Sequence, residues 1–177
     1  MNTSINIRFS FFLIALFSFQ LSIAQTYTNY EVDDRVRVEN ENIARSIFAN
    51  FGVDNSANSR NSTIDGNSVF LKQIGELNTL SVVTSTVASD INVMQNGSGN
   101  DVSLKYKANT AIADLVQNGN DNRISDFVSN GNIDISLDLT QDGNGLIFER
   151  NGANDLTKSL KLIQTEASPK LIIRSFN

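Results

Sequence analysis

A motif, Gln-x-Gly-x-x-Asn, returns at one spacing through the C-terminal two thirds of the chain, and it constrains the fold more than any other feature. It opens at Gln73, Gln95 and Gln117, with Gly75, Gly97 and Gly119 two residues on and Asn78, Asn100 and Asn122 five residues on. Weaker copies begin at Gln141, followed by Gly143, and at Gln164, so the step between copies is 22, 22, 24 and 23 residues. A fixed step of this size marks a solenoid, whose units stack because none can bury its apolar face alone.

Around each motif the residues alternate. Before each Gln the same-parity positions are apolar: Val69 and Leu71, Ile91 and Val93, Ala113 and Leu115, Leu137 and Leu139, Leu160 and Leu162. After the Asn the pattern resumes with Leu80 and Val82, Val102 and Leu104, Ile124 and Val128, and Leu146 and Phe148 fill the fourth copy. Period two over such lengths means a strand with one buried face, so each repeat predicts strand, tight turn, strand. Turn sequences such as Asn96-Gly97-Ser98-Gly99 and Asn118-Gly119-Asn120-Asp121 supply residues tolerant of positive φ. Asn-Gly also suits a local antiparallel hairpin. The common spacing favours instead first strands lying parallel, one over the next at about 4.8 Å, with equivalent residues in columns.

Columns explain why an amide recurs on an otherwise apolar face. Every motif Gln, and Asn78, Asn100 and Asn122, share the parity of the apolar positions and are expected to point inward. A buried amide is costly unless bonded, but in a column each donates to one neighbour and accepts from the other. Such a bond contributes about 0.5 to 1.5 kcal/mol net, against roughly 1.5 to 3 kcal/mol for burying a Leu or Ile. Apolar columns therefore stabilise the stack and amide columns fix its register.

Outside the repeats, Met1 to Arg8 carries one positive charge, Phe9 to Phe19 is apolar but for serine, and Ser22-Ile23-Ala24 precedes Gln25. This is the layout of a cleaved export signal, residues 1–24, and the run is shorter than the roughly 18 residues a membrane span needs. The mature chain is expected to begin at Gln25, outside the membrane. Residues 25–66 form a polar segment. In it Ile43, Ile47, Phe48 and Phe51 share a helical face, Asn40 suits an N-cap and Gly52 a stop, predicting a short helix from about Glu41 to Phe51 and loose linker around it. Residues 67–177 form the solenoid.

Composition narrows the chemistry. There is no Cys, His or Trp, which removes the covalent staple of many exported proteins and the commonest nucleophile, base and metal-ligand types. From Gln25 to Glu149, 8 basic residues stand against 17 acidic ones, a net of −9; from Arg150 onward 5 stand against 2, a net of +3. An acidic body with a basic end argues against a nucleic-acid binder. Asp142-Gly143-Asn144-Gly145 fits neither a calcium β-roll nor an EF-hand, and Asp114, Asp126, Asp134 and Asp138 read as solvated strand faces rather than paired catalytic carboxylates.

In the Gln-x-Gly-x-x-Asn unit at this step, the chain from about Asn67 to Asn177 resembles the curlin subunits of bacterial curli fibres. The resemblance implies a two-strand-per-turn β-solenoid that assembles outside the cell as functional amyloid, serving adhesion and biofilm. The implied partners are copies of itself or a major curlin-type subunit, outer-membrane secretion and assembly machinery, and the cell surface. It implies no catalytic residue, metal or cofactor. The last unit is similar to that of minor, nucleating subunits: Gln164 leads into Thr165-Glu166-Ala167-Ser168-Pro169 without Gly-x-x-Asn, then Lys170, Leu171, Ile172, Ile173 and Arg174. With Lys158 and Lys161, these residues form the expected surface-contacting or nucleating end. The chain departs from the family where a second amide is usual, at Thr84, Tyr106 and Val128, and only Ser89 supplies the usual Ser six residues before the Gln. The rival expectation is a non-polymerising surface adhesin on a capped β-solenoid, and a more distant one is a carbohydrate-active enzyme.

Overall fold

The computed structural model describes residues 34–175, so the expected export signal lies outside the described residues. Among the described residues nine strands follow a helix, α1 (Asp34–Asn50), and a 3-10 turn (Ser59–Ser62). In chain order the strands are β1 (Asn67–Ile74), β2 (Ala88–Asn96), β3 (Asp101–Ser103), β4 (Thr110–Asn118), β5 (Arg123–Ser125), β6 (Asp134–Asp142), β7 (Ile147–Glu149), β8 (Ser159–Thr165) and β9 (Lys170–Ile172). They make two parallel sheets, β1-β2-β4-β6-β8 and β3-β5-β7-β9, and the chain is a β-solenoid of five turns.

Register follows the motif. Gln73 pairs with Gln95, Gln95 with Gln117, Gln117 with Gln141 and Gln141 with Gln164, so the sequence step is the pairing offset. One side chain in two from each sheet enters the core, where Ile91, Val93, Ala113, Leu115, Leu137, Leu139, Leu160 and Leu162 are buried against Val102, Leu104, Ile124, Leu146 and Phe148. A slip of one residue would turn all of these outward, so the core itself enforces the register.

The second arm of each turn differs from the expected full strand. β3, β5, β7 and β9 have three residues each, and the first turn has no strand after Asn78. After β3 the backbone enters left-handed space, with φ of 87, 62, 107 and 33° at Ser103, Leu104, Lys105 and Tyr106, and the equivalent residues Ser125 to Val128 do the same. Left-handed non-glycine residues cost roughly 1 to 2 kcal/mol each. Stacking offsets this: the two bends lie over one another, with Leu104 N–H donating to Ser125 O at 2.8 Å, and Leu104, Tyr106 and Val128 remain buried. Alternating burial survives where the strand does not.

The N-terminal segment is also more ordered than a loose linker. The helix begins at Asp34, so Asn40 lies inside it rather than capping it. Its end is closed by Gly52 at φ 71°, with Gly52 N–H on Ala49 O and Val53 N–H on Phe48 O, a Schellman pattern in which Phe48 and Val53 pack against the solenoid core. Of the expected apolar face, Ile43, Ile47 and Phe51 stay exposed. The chain then adds a one-residue antiparallel bridge to β8: Asp54 N–H donates to Lys161 O at 2.8 Å, and Lys161 N–H to Asp54 O at 2.7 Å. From there it runs back along the five-stranded sheet as a strap. Asn61 Nδ2 donates to Thr110 Oγ1 and Ile135 O, and Arg60 pairs with Asp90 and Asp114. Asp114 and Asp138 are register neighbours, a like-charge pair that would weaken the sheet, and Arg60 on one with Lys161 on the other relieves it.

Candidate functional site: the amide columns and the ends of the stack

The motif glutamines form one directional column. Nε2 of Gln73 donates to Oε1 of Gln95 at 2.6 Å, Gln95 to Gln117 at 2.9 Å, Gln117 to Gln141 at 2.8 Å and Gln141 to Gln164 at 2.9 Å. The second Nε2 hydrogen of each crosses the core to the other arm of the preceding turn: Gln95 to Thr79 O, Gln117 to Asp101 O, Gln141 to Arg123 O and Gln164 to Ile147 O. Gln95, Gln117 and Gln141 thus each tie their own strand to the following turn and to the preceding one, while Gln73 reaches only forward and Gln164 only back. Gln95, Gln117, Gln141 and Gln164 are buried and fully bonded, so their desolvation is compensated.

The asparagines make a second column with the same sense. Asn78 Nδ2 donates to Gly97 O and its Oδ1 accepts from Asn100 N–H; Asn100 holds Gly119 and Asn122 alike, and Asn122 holds Gly143 O and Leu146 N–H. Every asparagine therefore serves the next turn. In the fourth copy Leu146 stands where an Asn would be, and its neighbour in the fifth turn is Pro169, which has no N–H to offer. The apolar residue loses nothing there. Glycine is required at the third motif position by the same stacking: a Cβ on Gly75, Gly97 or Gly119 would overlap the carbonyl oxygen of the glycine in the next turn.

One buried polar cluster falls outside the amide columns and differs from the sequence expectation. Asp126, expected on a solvated face, shares the inward parity of Ile124 and Val128. Its carboxylate accepts a bidentate pair from Arg150, Nε at 2.6 Å and Nη2 at 2.7 Å, and the Tyr106 hydroxyl at 2.7 Å. Both charged side chains are 0 % exposed. Arg150 Nη1 also reaches Ser136 O and Thr157 O, so the guanidinium closes the core instead of adding to a basic surface. Burial, then the neighbouring Asp126 charge, pushes the Tyr106 phenol well above its ordinary range. The other carboxylates named from sequence are on the outside: Asp134 accepts from Asn109 and Thr110, Asp114 from Asn92 and Arg60, and Asp138 from Lys161.

The two ends of the stack are finished differently. At the C-terminal end Gln164 spends its remaining hydrogen on Ser168 O, Asp54 bridges Lys161, and Ile173 is buried with Leu171 and Ile172 half-buried. The basic residues there include ion pairs, Lys158 with Asp155, Lys161 with Asp138 and Arg174 with Glu149, while Lys170 is exposed at the start of β9. At the N-terminal end every residue of β1 is exposed. Among the described residues nothing donates to Gln73 Oε1, nothing accepts its second Nε2 hydrogen, and Gly75 O and Asn78 N–H have no partner. The signal for this asymmetry was in the sequence: the motif is complete in its first copy and lost in its last. Comparison with protein-family models, curated proteins and solved structures returns no match.

Proposed function

We propose that this chain is an extracellular structural subunit of a curli-type amyloid fibre, acting as the minor subunit from which polymerisation starts at the cell surface. The observation that carries this reading is the amide columns, in register through the stack and ending at an uncovered strand edge. An uncovered parallel edge with matched columns is what an added strand needs for backbone pairing. The columns bond turn to turn within the chain in the way a fibre would bond subunit to subunit. The C-terminal turn, with Lys170 and Arg174 exposed, then faces an anionic outer surface as the anchoring end. Its partners are a major curlin-type subunit and the outer-membrane assembly machinery; no enzymatic role is included.

The test is thioflavin-T kinetics of a monomeric major curlin-type subunit with and without a substoichiometric dose of this chain. A shortened lag is expected. The rival, a non-polymerising adhesin on a capped solenoid, is favoured by the Asp54 bridge over β8. It becomes the better account when the lag is unchanged and the chain alone stays monomeric.

A further inference from the structure

The open end specifies what can be added to it. In a parallel strand alternate residues aim both backbone groups to the same side. Gly66 O accepts from Ser89 in β2 and Ile74 O from Gly97 just past its end, so the intervening odd residues, Val69, Leu71 and Gln73 among them, aim theirs away from the stack. Three further atoms wait beside that edge: Gln73 Oε1, Gly75 O and Asn78 N–H. Inside the stack, the atoms equivalent to these are bonded by the Gln of the preceding turn, by its Asn Nδ2 and by its Asn Oδ1. The turn laid on β1 must also carry Gly at the third motif position, since a Cβ there would meet Gly75 O as one on Gly75 would meet Gly97 O. All three fixed residues of Gln-x-Gly-x-x-Asn are demanded by atoms already in place.

The chain's own last turn fails that demand. Glu166 stands at the Gly position and Pro169 at the Asn position, and both Gln164 Nε2 hydrogens are held by Ile147 O and Ser168 O. The β8 edge is further bridged by Asp54.

We infer that this chain is a one-ended template: β1 accepts the last turn of a different chain, one that ends in an intact Gln-x-Gly-x-x-Asn unit, and its own C-terminal turn does not add to β1 of a second copy. This deepens the fibre-subunit reading and rests on it for its biological meaning, while the edge selectivity can be measured separately. A growing fibre would then extend from the N-terminal end, with the basic turn left at the base.

The probe is a two-turn peptide with the sequence of Ala88 to Ser129, whose last turn carries Gln117, Gly119 and Asn122. Hydrogen exchange of the full chain with and without this peptide reads the edge directly. Exchange at the Val69, Leu71 and Gln73 amides is expected to slow about tenfold or more, with the Ile163 amide unchanged. Protection at Ile163 instead, or at neither edge, overturns the inference, as does a concentration-dependent self-association that protects β1 without peptide. Two edge variants supply a second test. Leu71→Pro removes an outward N–H without touching the bonds to β2, and Ile163→Pro does the same at β8. Peptide binding lost in the first and kept in the second supports the proposal; the reverse sinks it. Replacing Gly119 by Ala and Asn122 by Leu in the peptide should abolish protection, and undiminished binding by that peptide would show that the motif is not what β1 selects. Whether the chain shortens the lag of a major subunit reports on the fibre reading alone, so the two can fail independently.

Discussion

The first and third turns carry the same three motif residues in the same register, yet Leu71 is 48 % exposed where Leu115 is 1 % exposed, and Gln73 is exposed where Gln117 is buried. Sequence is not the difference. Among the described residues the third turn has a neighbour on each side and the first has one, so burial in this molecule is a property of position in the stack. In a solenoid stability is close to a sum of unit terms and interfaces between neighbours, which makes the first turn the weak member although its residues are as apolar as the rest. The first turn also has no second strand among the described residues, and it holds Leu77 at φ 57° where the later turns place Gly99, Asp121 and Gly145.

The largest test of this contrast lies in the interior. The Asp126–Arg150 pair is enclosed by turns that the first turn cannot imitate, where Thr84 takes the place of Tyr106. Arg150→Met strands a carboxylate in the core, and we expect a loss of about 3 to 5 kcal/mol in urea unfolding. Adding Asp126→Leu to Arg150→Met should recover most of that loss. A double variant as unstable as the single one would mean that the charge pair, not merely its completeness, holds the second arms together.

Next in size is the apolar column itself. Leu115→Ala should cost about 2 to 5 kcal/mol, because the neighbouring turns leave a cavity that cannot collapse. Leu71→Ala, in the same column but half-exposed, should cost about 1 kcal/mol or less on the smaller area it removes from water. Equal losses would show that the first turn is covered in solution, and would count against the uncovered edge.

How much of this was legible depends on what kind of signal a residue leaves. The glutamine, glycine and asparagine columns were readable because residue type and period coincide, and stacking turns a sequence step into a spatial register. The strap was not. Arg60 meets Asp90 and Asp114, and Asp54 meets Lys161, through separations that no local pattern records. Asn40 resembles a cap, but the helix runs through it from Asp34. Asp126 and Arg150 were misplaced because charge suggests solvent. Parity was the better guide, since Asp126 alternates with Ile124 and Val128, and a carboxylate at an inward position demands a buried cation. At the candidate site the loss of Gly and Asn from the last copy was visible, but the free atoms of Gln73, Gly75 and Asn78 needed the bonding sense of the columns.

A smaller contrast separates the amides. Gln117→Ala leaves Gln95 Nε2 without its acceptor and Gln141 Oε1 without its donor inside the core, for an expected loss of about 1 to 3 kcal/mol. Gln73→Ala frees only one buried acceptor, on Gln95, at the open end where water can replace it, and should cost less than about 1 kcal/mol. That variant should nevertheless lose the two-turn peptide, since it deletes the acceptor and the second donor offered at the edge. Stability and edge binding would then be separated in one molecule.

The contrast vanishes at neutral pH for Tyr106 and returns only in alkali. The hydroxyl donates to Asp126, so the native state holds the phenol protonated, and burial followed by the Asp126 charge raises its ionisation above the ordinary value of 10.0. Because the folded value is the raised one, the contribution is complete below the unfolded value and is lost as pH climbs through the interval between the two. Over that interval the unfolded chain releases a proton that the native chain keeps, and stability should fall by about 1.4 kcal/mol per pH unit from this group. Tyr106→Phe removes the titrating group along with its hydrogen bond, so the variant should begin slightly less stable at pH 8 and lose less as pH rises. Parallel urea midpoints from pH 8 to pH 11 for the two proteins would mean that the phenol is not held in the closed interior, and the distinction between an interior turn and the first would rest on the apolar columns alone.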